Sequence, residues 1–373
     1  MTQHKEQKFP YIETIDDVKP WIDMRDEFQI KQTPDFICID YVYQQEGTFE
    51  HPEQRECRGI KFYPGGEIMS RPPHKFFNLG ERRDLEDMYG KEDTSESWMK
   101  LDGSLIIPVF ESGQITLGTK AGPTDVSRKC LEEIQPSLEF MDLVETMIRG
   151  GYTPCFEYTS PNNRIVVCYP EPRLTLICVR STHTGDYLSF DDPIVRNLTR
   201  FVGIPDRVRD PVDVIRSEWK ENEGIVQAWP NGFRLKVKAD EYVLRHRARS
   251  YLDSEKTILD FIVNEKHDDL SGILEPDDFA RLEEHSNSIW RNMHETAERI
   301  MSVISEASGL ETRKDKALFL KDRLSPQLLK PAFSILDGKE PMEAVQDLAR
   351  SKLGSSTKIE ELRDTLFTPE WRY

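Results

Sequence analysis

The sequence predicts an α+β fold, with an antiparallel-sheet domain over residues 1–249 and an all-α domain over 250–373. Three observations predict it. Before about Val243, short apolar runs alternate with turns rich in Gly, Asn and Pro, as in hairpins. Beyond it, strand alternation stops and apolar residues recur at helical spacing. The 373 residues are too many for one ordinary core and suit two.

Taken in order, residues 104–110 form an apolar strand, Glu111-Ser112-Gly113 turns it and 114–119 returns. Residues 131–149 have helical spacing, and Gly150-Gly151 supplies a stop. Residues 155–158, 164–169 and 174–180 read as strands. Ser160-Pro161-Asn162-Asn163 and Pro170-Glu171-Pro172 separate them. A short helix is expected over 210–221. Strands 223–229 and 233–238 flank Asn231-Gly232, a strong hairpin signal. Helices are expected over 252–266, 276–307, 314–329 and 341–352. There is no internal repeat and no low-complexity tract.

Hydrophobic residues make up 37% and charged residues 31%, a globular composition. No apolar run approaches the roughly 18–20 residues that span a bilayer. Met1-Thr2-Gln3-His4-Lys5-Glu6 carries no signal-peptide core. The expectation is a cytoplasmic, monomeric protein with no membrane partner. The six cysteines form no C-x-x-C pair and are expected as buried free thiols. The eight histidines lack metal-ligand spacing, which argues against zinc. A net charge of -17 disfavours broad non-specific nucleic-acid binding. A binding site is local, however, and cations can line one cleft of an acidic protein.

The chemistry centres on Met99-Lys100-Leu101-Asp102-Gly103-Ser104. A lysine attacking phosphorus must be neutral, although its free pKa is about 10.4. Nearby cations, a metal or burial would lower that value. Asp102 can orient neighbouring positive groups, and Gly103 permits close backbone approach. In 233–238, period two puts Arg234, Lys236 and Lys238 on one face. A two-residue Asn231-Gly232 loop would set Gln227 opposite Lys236, Ile225 opposite Lys238 and Glu223 opposite Asp240. Glu223 then shares the lysine face, where a carboxylate can hold hydrated metal while lysines clamp phosphate.

A lone K-x-D-G is weak, but it does not stand alone. Lys100-Leu101-Asp102-Gly103-Ser104, Phe156-Glu157-Tyr158, Glu223-Gly224-Ile225-Val226 and Leu235-Lys236-Val237-Lys238 resemble, in order and spacing, motifs of the covalent nucleotidyltransferases. DNA ligases, RNA ligases and mRNA capping enzymes share them. Glu56-Cys57-Arg58-Gly59-Ile60, Ser70-Arg71-Pro72, Lys75-Phe76-Phe77-Asn78, Pro161-Asn162-Asn163-Arg164-Ile165-Val166 and Thr184-Gly185-Asp186-Tyr187 look like the bacteriophage RNA ligase 1 family of tRNA-repair ligases.

The resemblance covers about residues 36–245. It implies that Lys100 attacks ATP and holds AMP as a phosphoramidate, with Asp102, Lys236 and Lys238 in the catalytic set. Arg58, Lys75 and Tyr242 would bind the triphosphate and its metal, Phe77 would support the nucleotide pocket, and Lys120 matches an essential lysine. Met99 and Gly103 complete the nucleotide-binding set. Glu157 would contact ribose or metal, and Glu223 would hold the metal–water cluster. Mg²⁺, or Mn²⁺ in its place, is the implied metal. RNA ends, tRNA first, are the implied substrate. A polynucleotide kinase–phosphatase is the implied functional partner, and the helical region 250–373 the implied source of tRNA preference. A DNA ligase or capping enzyme is the alternative within the superfamily, but the helical tail replaces their usual barrel. A non-catalytic RNA-end-binding protein is the alternative outside it.

Overall fold

The computed structural model describes residues 9–90, 95–271 and 273–372. The chain divides into two units, Met1–Val243 and Leu244–Tyr373. The division falls within the helix Asp240–Leu252, ahead of the 249/250 boundary expected from the sequence.

Thirteen strands occur among the described residues, all in the first unit. They are β1 (Phe28–Gln32), β2 (Ile37–Tyr41), β3 (Ile60–Phe62), β4 (Ile68–Ser70), β5 (Phe77–Asn78), β6 (Glu96–Lys100) and β7 (Ser104–Glu111), followed by β8 (Gln114–Gly118), β9 (Tyr152–Thr159), β10 (Arg173–Ser181), β11 (Arg207–Val208), β12 (Gly224–Ala228) and β13 (Arg234–Lys238). They build three sheets, ordered β1-β2-β3-β4, β10-β9-β7-β8 and β11-β6-β12-β13-β5. Pairing between strands is antiparallel except between β13 and the two-residue β5. One core is built on Ile12, Ile39, Ile60, Phe62 and Phe77, and another packs Phe140, Val144 and Met147 against Phe156, Tyr158 and Leu176.

The second unit is helical. Its longest helix, Pro276–Glu306, begins with proline and two aspartates, which suit the first turn of a helix. Leu282, Ile289, Met293, Ala297 and Ile300 form its apolar stripe. Gln346 and Trp371 tie the core to backbone carbonyls, donating to Val263 O at 2.7 Å and Leu252 O at 2.6 Å. No helix among the described residues is long and apolar enough to cross a membrane.

Four expected elements are corrected. Residues 131–149 lie on two helices, Asp125–Ile134 and Leu138–Arg149, because Gln135 turns left-handed before Pro136 and Ser137 caps the second. Residues 314–329 are likewise split by Ser325-Pro326 into Arg313–Arg323 and Pro326–Leu336. The 252–266 helix is shorter, Glu255–Val263, and starts from a Ser254 cap. Residues 164–169 are not a strand, for a reason that lies at the site. The helix Ser356–Leu366 was not anticipated, and five of the six cysteines are buried while Cys168 is exposed.

Candidate active site

Strands β6, β12 and β13 lie side by side and set residues in rows. Lys100, Gly224 and Lys238 form one row, Trp98, Val226 and Lys236 the next, and Glu96, Ala228 and Arg234 the third. Period two gives these rows a common face. Ile225 and Val237 turn the other way, into a core with Ile215. Gly224, between the two lysines, has φ +140°, and a Cβ there would lie 2.0 Å from the Val237 carbonyl oxygen. Only glycine fits, and the gap it leaves is spanned by the residue before it. Glu223 Oε2 accepts from Lys100 Nζ at 2.7 Å and Oε1 pairs with Lys238 Nζ at 2.9 Å.

The expected hairpin register is off by one residue. Gly224 faces Lys238 and Val226 faces Lys236, so the loop has three residues, closed by Trp229 and Phe233. Asn231 explains the change, because its Nδ2 donates to Tyr89 O at 2.9 Å and its Oδ1 accepts from Phe233 N at 3.0 Å. A one-residue slip should send Glu223 to the core face. The positive φ of Gly224 brings its carboxylate back to the lysines. Glu223 therefore reaches Lys238, as expected, by a different route, and Lys100 besides.

Over these rows lies a cavity of about 340 Å³. Arg58, Met99, Lys100, Gly103, Glu157, Lys236 and Lys238 line it, all of them marked in the sequence. Phe76, Asn78, Trp98, Leu105, Ile177, Cys178, Tyr187, Val226 and Arg234 also line it, and no site role was assigned to them from sequence. Burial, with help from Arg58, Lys100, Lys75 and Lys238, lowers the Lys236 pKa to about 7. Its ammonium sits 4.7 Å from the centre of the Phe76 ring. Burial also raises the Glu157 carboxyl to about 7; Lys100 and Arg58 oppose the shift and Glu223 adds to it. Gly103 permits a close approach, but to the neighbouring strand: a Cβ would meet Tyr158 O at 2.3 Å.

Several marked residues stand outside the cavity. Asp102 is buried. Its Oδ2 accepts from the Val166 and Val167 amides, each at 2.7 Å, and its Oδ1 from the Tyr242 hydroxyl at 2.7 Å. These bonds fold 165–167 around the carboxylate in place of the expected strand. Tyr242 is thereby a brace, with Lys238 Nζ 5.0 Å above its ring. Phe77 is a core residue and Phe76 is the ring at the cavity. Lys75 donates to Gln44 Oε1 at 2.6 Å among Tyr41, Phe49 and Phe77. Lys120 pairs with Asp40 at 2.8 Å.

A family model described as RNA ligase, of the T4 RNA ligase 1 kind, matches residues 56–240. That segment is similar to the bacteriophage RNA ligase 1 family. A Thermovibrio ammonificans protein provisionally named an RNA ligase is 27% identical over 254 residues, 65% of this chain and 67% of that protein. RNA ligase 1 of bacteriophage TS2126 is 26% identical over 256 residues, 63% of this chain and 62% of that protein. An Autographa californica nuclear polyhedrosis virus protein, provisionally named a bifunctional polynucleotide kinase/RNA ligase, is 24% identical over 277 residues. The match covers 65% of this chain and 39% of that protein. The chain thus spans less than two thirds of the phage and baculovirus proteins.

Three of the local strings that resemble this family, 56–60, 70–72 and 184–187, meet at one buried cluster. Glu56 lies between Arg71 and Arg180, with Arg71 Nε and Arg180 Nη1 donating to its Oε2 at 3.0 and 2.8 Å. The arginines also donate to the carbonyls of Pro10, Pro72, His183 and Gly185 at 2.7–2.9 Å. Burial alone would raise the Glu56 carboxyl, but the two arginines hold it well below the usual carboxylate range. Arg58, two residues on, is thus carried into the cavity on a fixed backbone. Among the described residues, no group of three or more His, Cys, Asp or Glu is gathered for a metal. Mg²⁺ uses one or two carboxylates beside water and substrate phosphates. Glu223, paired with Lys100 and Lys238, and Glu157, close enough to feel Lys100 and Glu223, fit that pattern.

Proposed function

We propose that this protein is an ATP-dependent RNA ligase that works through a lysyl-AMP intermediate. The observation that carries this reading is the Lys100–Gly224–Lys238 row, bridged by Glu223, within a segment of an RNA ligase family. Phosphates belong among Arg58, Lys236 and Lys238, and the base belongs at the uncharged end near Trp98, Ile177 and Val226. Lys100 Nζ attacks the α-phosphorus, the bond to the β-phosphate oxygen breaks, and pyrophosphate leaves. Glu223, 2.7 Å from Nζ, is the nearest acceptor for the proton that must leave the ammonium first. Mg²⁺, held by Glu223 and Glu157, would offset phosphate charge.

An RNA 5′-phosphate oxygen then takes the adenylyl group, and Lys100 is released as the amine. Last, a 3′-hydroxyl attacks the RNA 5′-phosphorus, joins the ends and expels AMP. Positioning and charge stabilisation are the protein's contribution throughout. We take tRNA broken in its anticodon loop as the substrate, with 250–373 supplying preference for it. An end-healing kinase–phosphatase would supply the 5′-phosphate and 3′-hydroxyl in the cytoplasm. The test is to incubate a 5′-phosphorylated single-stranded RNA with ATP, Mg²⁺ and the protein. Joined RNA with wild type and none with Lys100→Ala is the expected result. Equal joining by the two, or ATP binding without joining, would contradict the reading.

A further inference from the structure

The nucleotide cavity gathers cations at one end and lacks them at the other. Its uncharged end, Trp98, Ile177, Cys178 and Tyr187, is also a wall of a second and larger cleft of about 770 Å³. Arg234 stands at the junction of the two. The second cleft continues along the same sheet face, over the Glu96–Ala228–Arg234 row. Phe9, Tyr11, Phe190 and Trp229 complete its aromatic lining. Its volume is that of a ligand site, about 300–1,000 Å³.

Two features indicate what it would hold. The first is aromatic surface: Phe190 meets Trp98 edge to face with centroids 4.9 Å apart, so the ring that presents its edge keeps both faces clear of its partner. The second is Arg234. Its guanidinium lies 3.7 Å from the centre of the Tyr187 ring, and its Nε is buried without a hydrogen-bond partner among the described residues. His74 Nδ1 and the Tyr187 hydroxyl, 2.8 Å apart, fix that ring in turn. A buried donor without an acceptor is costly. A flat ligand with acceptors on its edge would pair with the guanidinium, which lines both cavities, while stacking on the rings. Unpaired nucleobases have that chemistry, and aromatic rings with arginine planes are how single strands are held.

We propose that this cleft is a second nucleobase site, which takes an unpaired base of the RNA strand beside the adenylate. The proposal rests on the RNA ligase reading. Phe190 tests it, because it borders the second cleft and not the nucleotide cavity. Binding of a short fluorescent 5′-phosphorylated single-stranded RNA is measured by anisotropy, with formation of lysyl-AMP measured in parallel. Phe190→Leu keeps apolar bulk and removes the ring. It should weaken RNA binding on the order of tenfold, with lysyl-AMP formation unchanged, and Phe190→Tyr should keep wild-type binding. Wild-type affinity in Phe190→Leu with normal lysyl-AMP formation would overturn the cleft alone. Equal losses in the Leu and Tyr variants would make Phe190 a packing residue and overturn it too. No lysyl-AMP on the wild type would overturn the ligase reading, and the cleft proposal with it.

Discussion

Two carboxylates in the first unit each stand between two cations, and the clusters are built to opposite ends. Glu56 sits between Arg71 and Arg180, and none of the three side chains is more than 1% exposed. Every arginine there also binds backbone carbonyls from distant parts of the chain. Glu223 is as well buried, at 3%, but its partners Lys100 and Lys238 are 22% and 27% exposed and face a cavity. Arginine's fixed fork suits a permanent joint. Lysine's single mobile ammonium can leave one partner for another and can lose its proton. The first cluster ties distant parts of the chain together, and the second leaves its lysines open to a cavity.

Substitutions that separate activity from stability would sharpen this contrast. The largest effect is expected on rate: Glu223→Gln should slow lysyl-AMP formation by roughly 10²–10³, with little change in melting temperature. A comparable fall in melting temperature would make Glu223 a second structural joint. Next, Glu56→Gln should destabilise the fold by about 3–5 kcal/mol, because it leaves two buried guanidinium groups without their counter-charge. Urea denaturation measures this, and a loss under about 1 kcal/mol would break the comparison.

Asp102→Asn should have a smaller effect, about 1–3 kcal/mol, since an amide replaces one acceptor with a donor facing amides or a hydroxyl. Hydrogen exchange should speed up at the Val166 and Val167 amides in that variant; unchanged protection there would remove Asp102 from its positioning role. The smallest effects concern pH. Lys236 is charged below about 7 and neutral above. ATP affinity without divalent metal should therefore fall severalfold as pH rises through 7, and Lys236→Arg should abolish the dependence. Glu157 titrates at about 7 when folded, against an ordinary value of 4.5. The folded chain holds the extra proton between those values, so this contribution to stability is present below 4.5 and lost as pH rises through 7. Melting curves of Glu157→Gln should lack that decline.

The reactive cluster was largely legible in the sequence, because strand alternation places Lys236 and Lys238 together and Lys100 heads its own run. What escaped was set by contacts far along the chain. Asp102 reads as a partner for cations, yet it binds amides of Val166 and Val167, 64 and 65 residues away. Those bonds also explain why the apolar run at 164–169 is a loop. Phe76 and Phe77 are adjacent rings where a two-residue strand begins at Phe77, too short for alternation to say which ring faces the core. The hairpin register failed because Asn231 is held by Tyr89, from another element. Helix breaks at Pro136 and Pro326 did have local signals, but apolar spacing ran on across them.

The central claim is that Lys100 is the nucleophile. It is tested most directly by incubating the full chain with ATP and Mg²⁺, digesting it and locating the added mass of AMP by tandem mass spectrometry. The account predicts AMP on Lys100, in an acid-labile and base-stable linkage, and its absence from Lys100→Ala. AMP on another residue, or none on a chain shown to bind ATP, would contradict it.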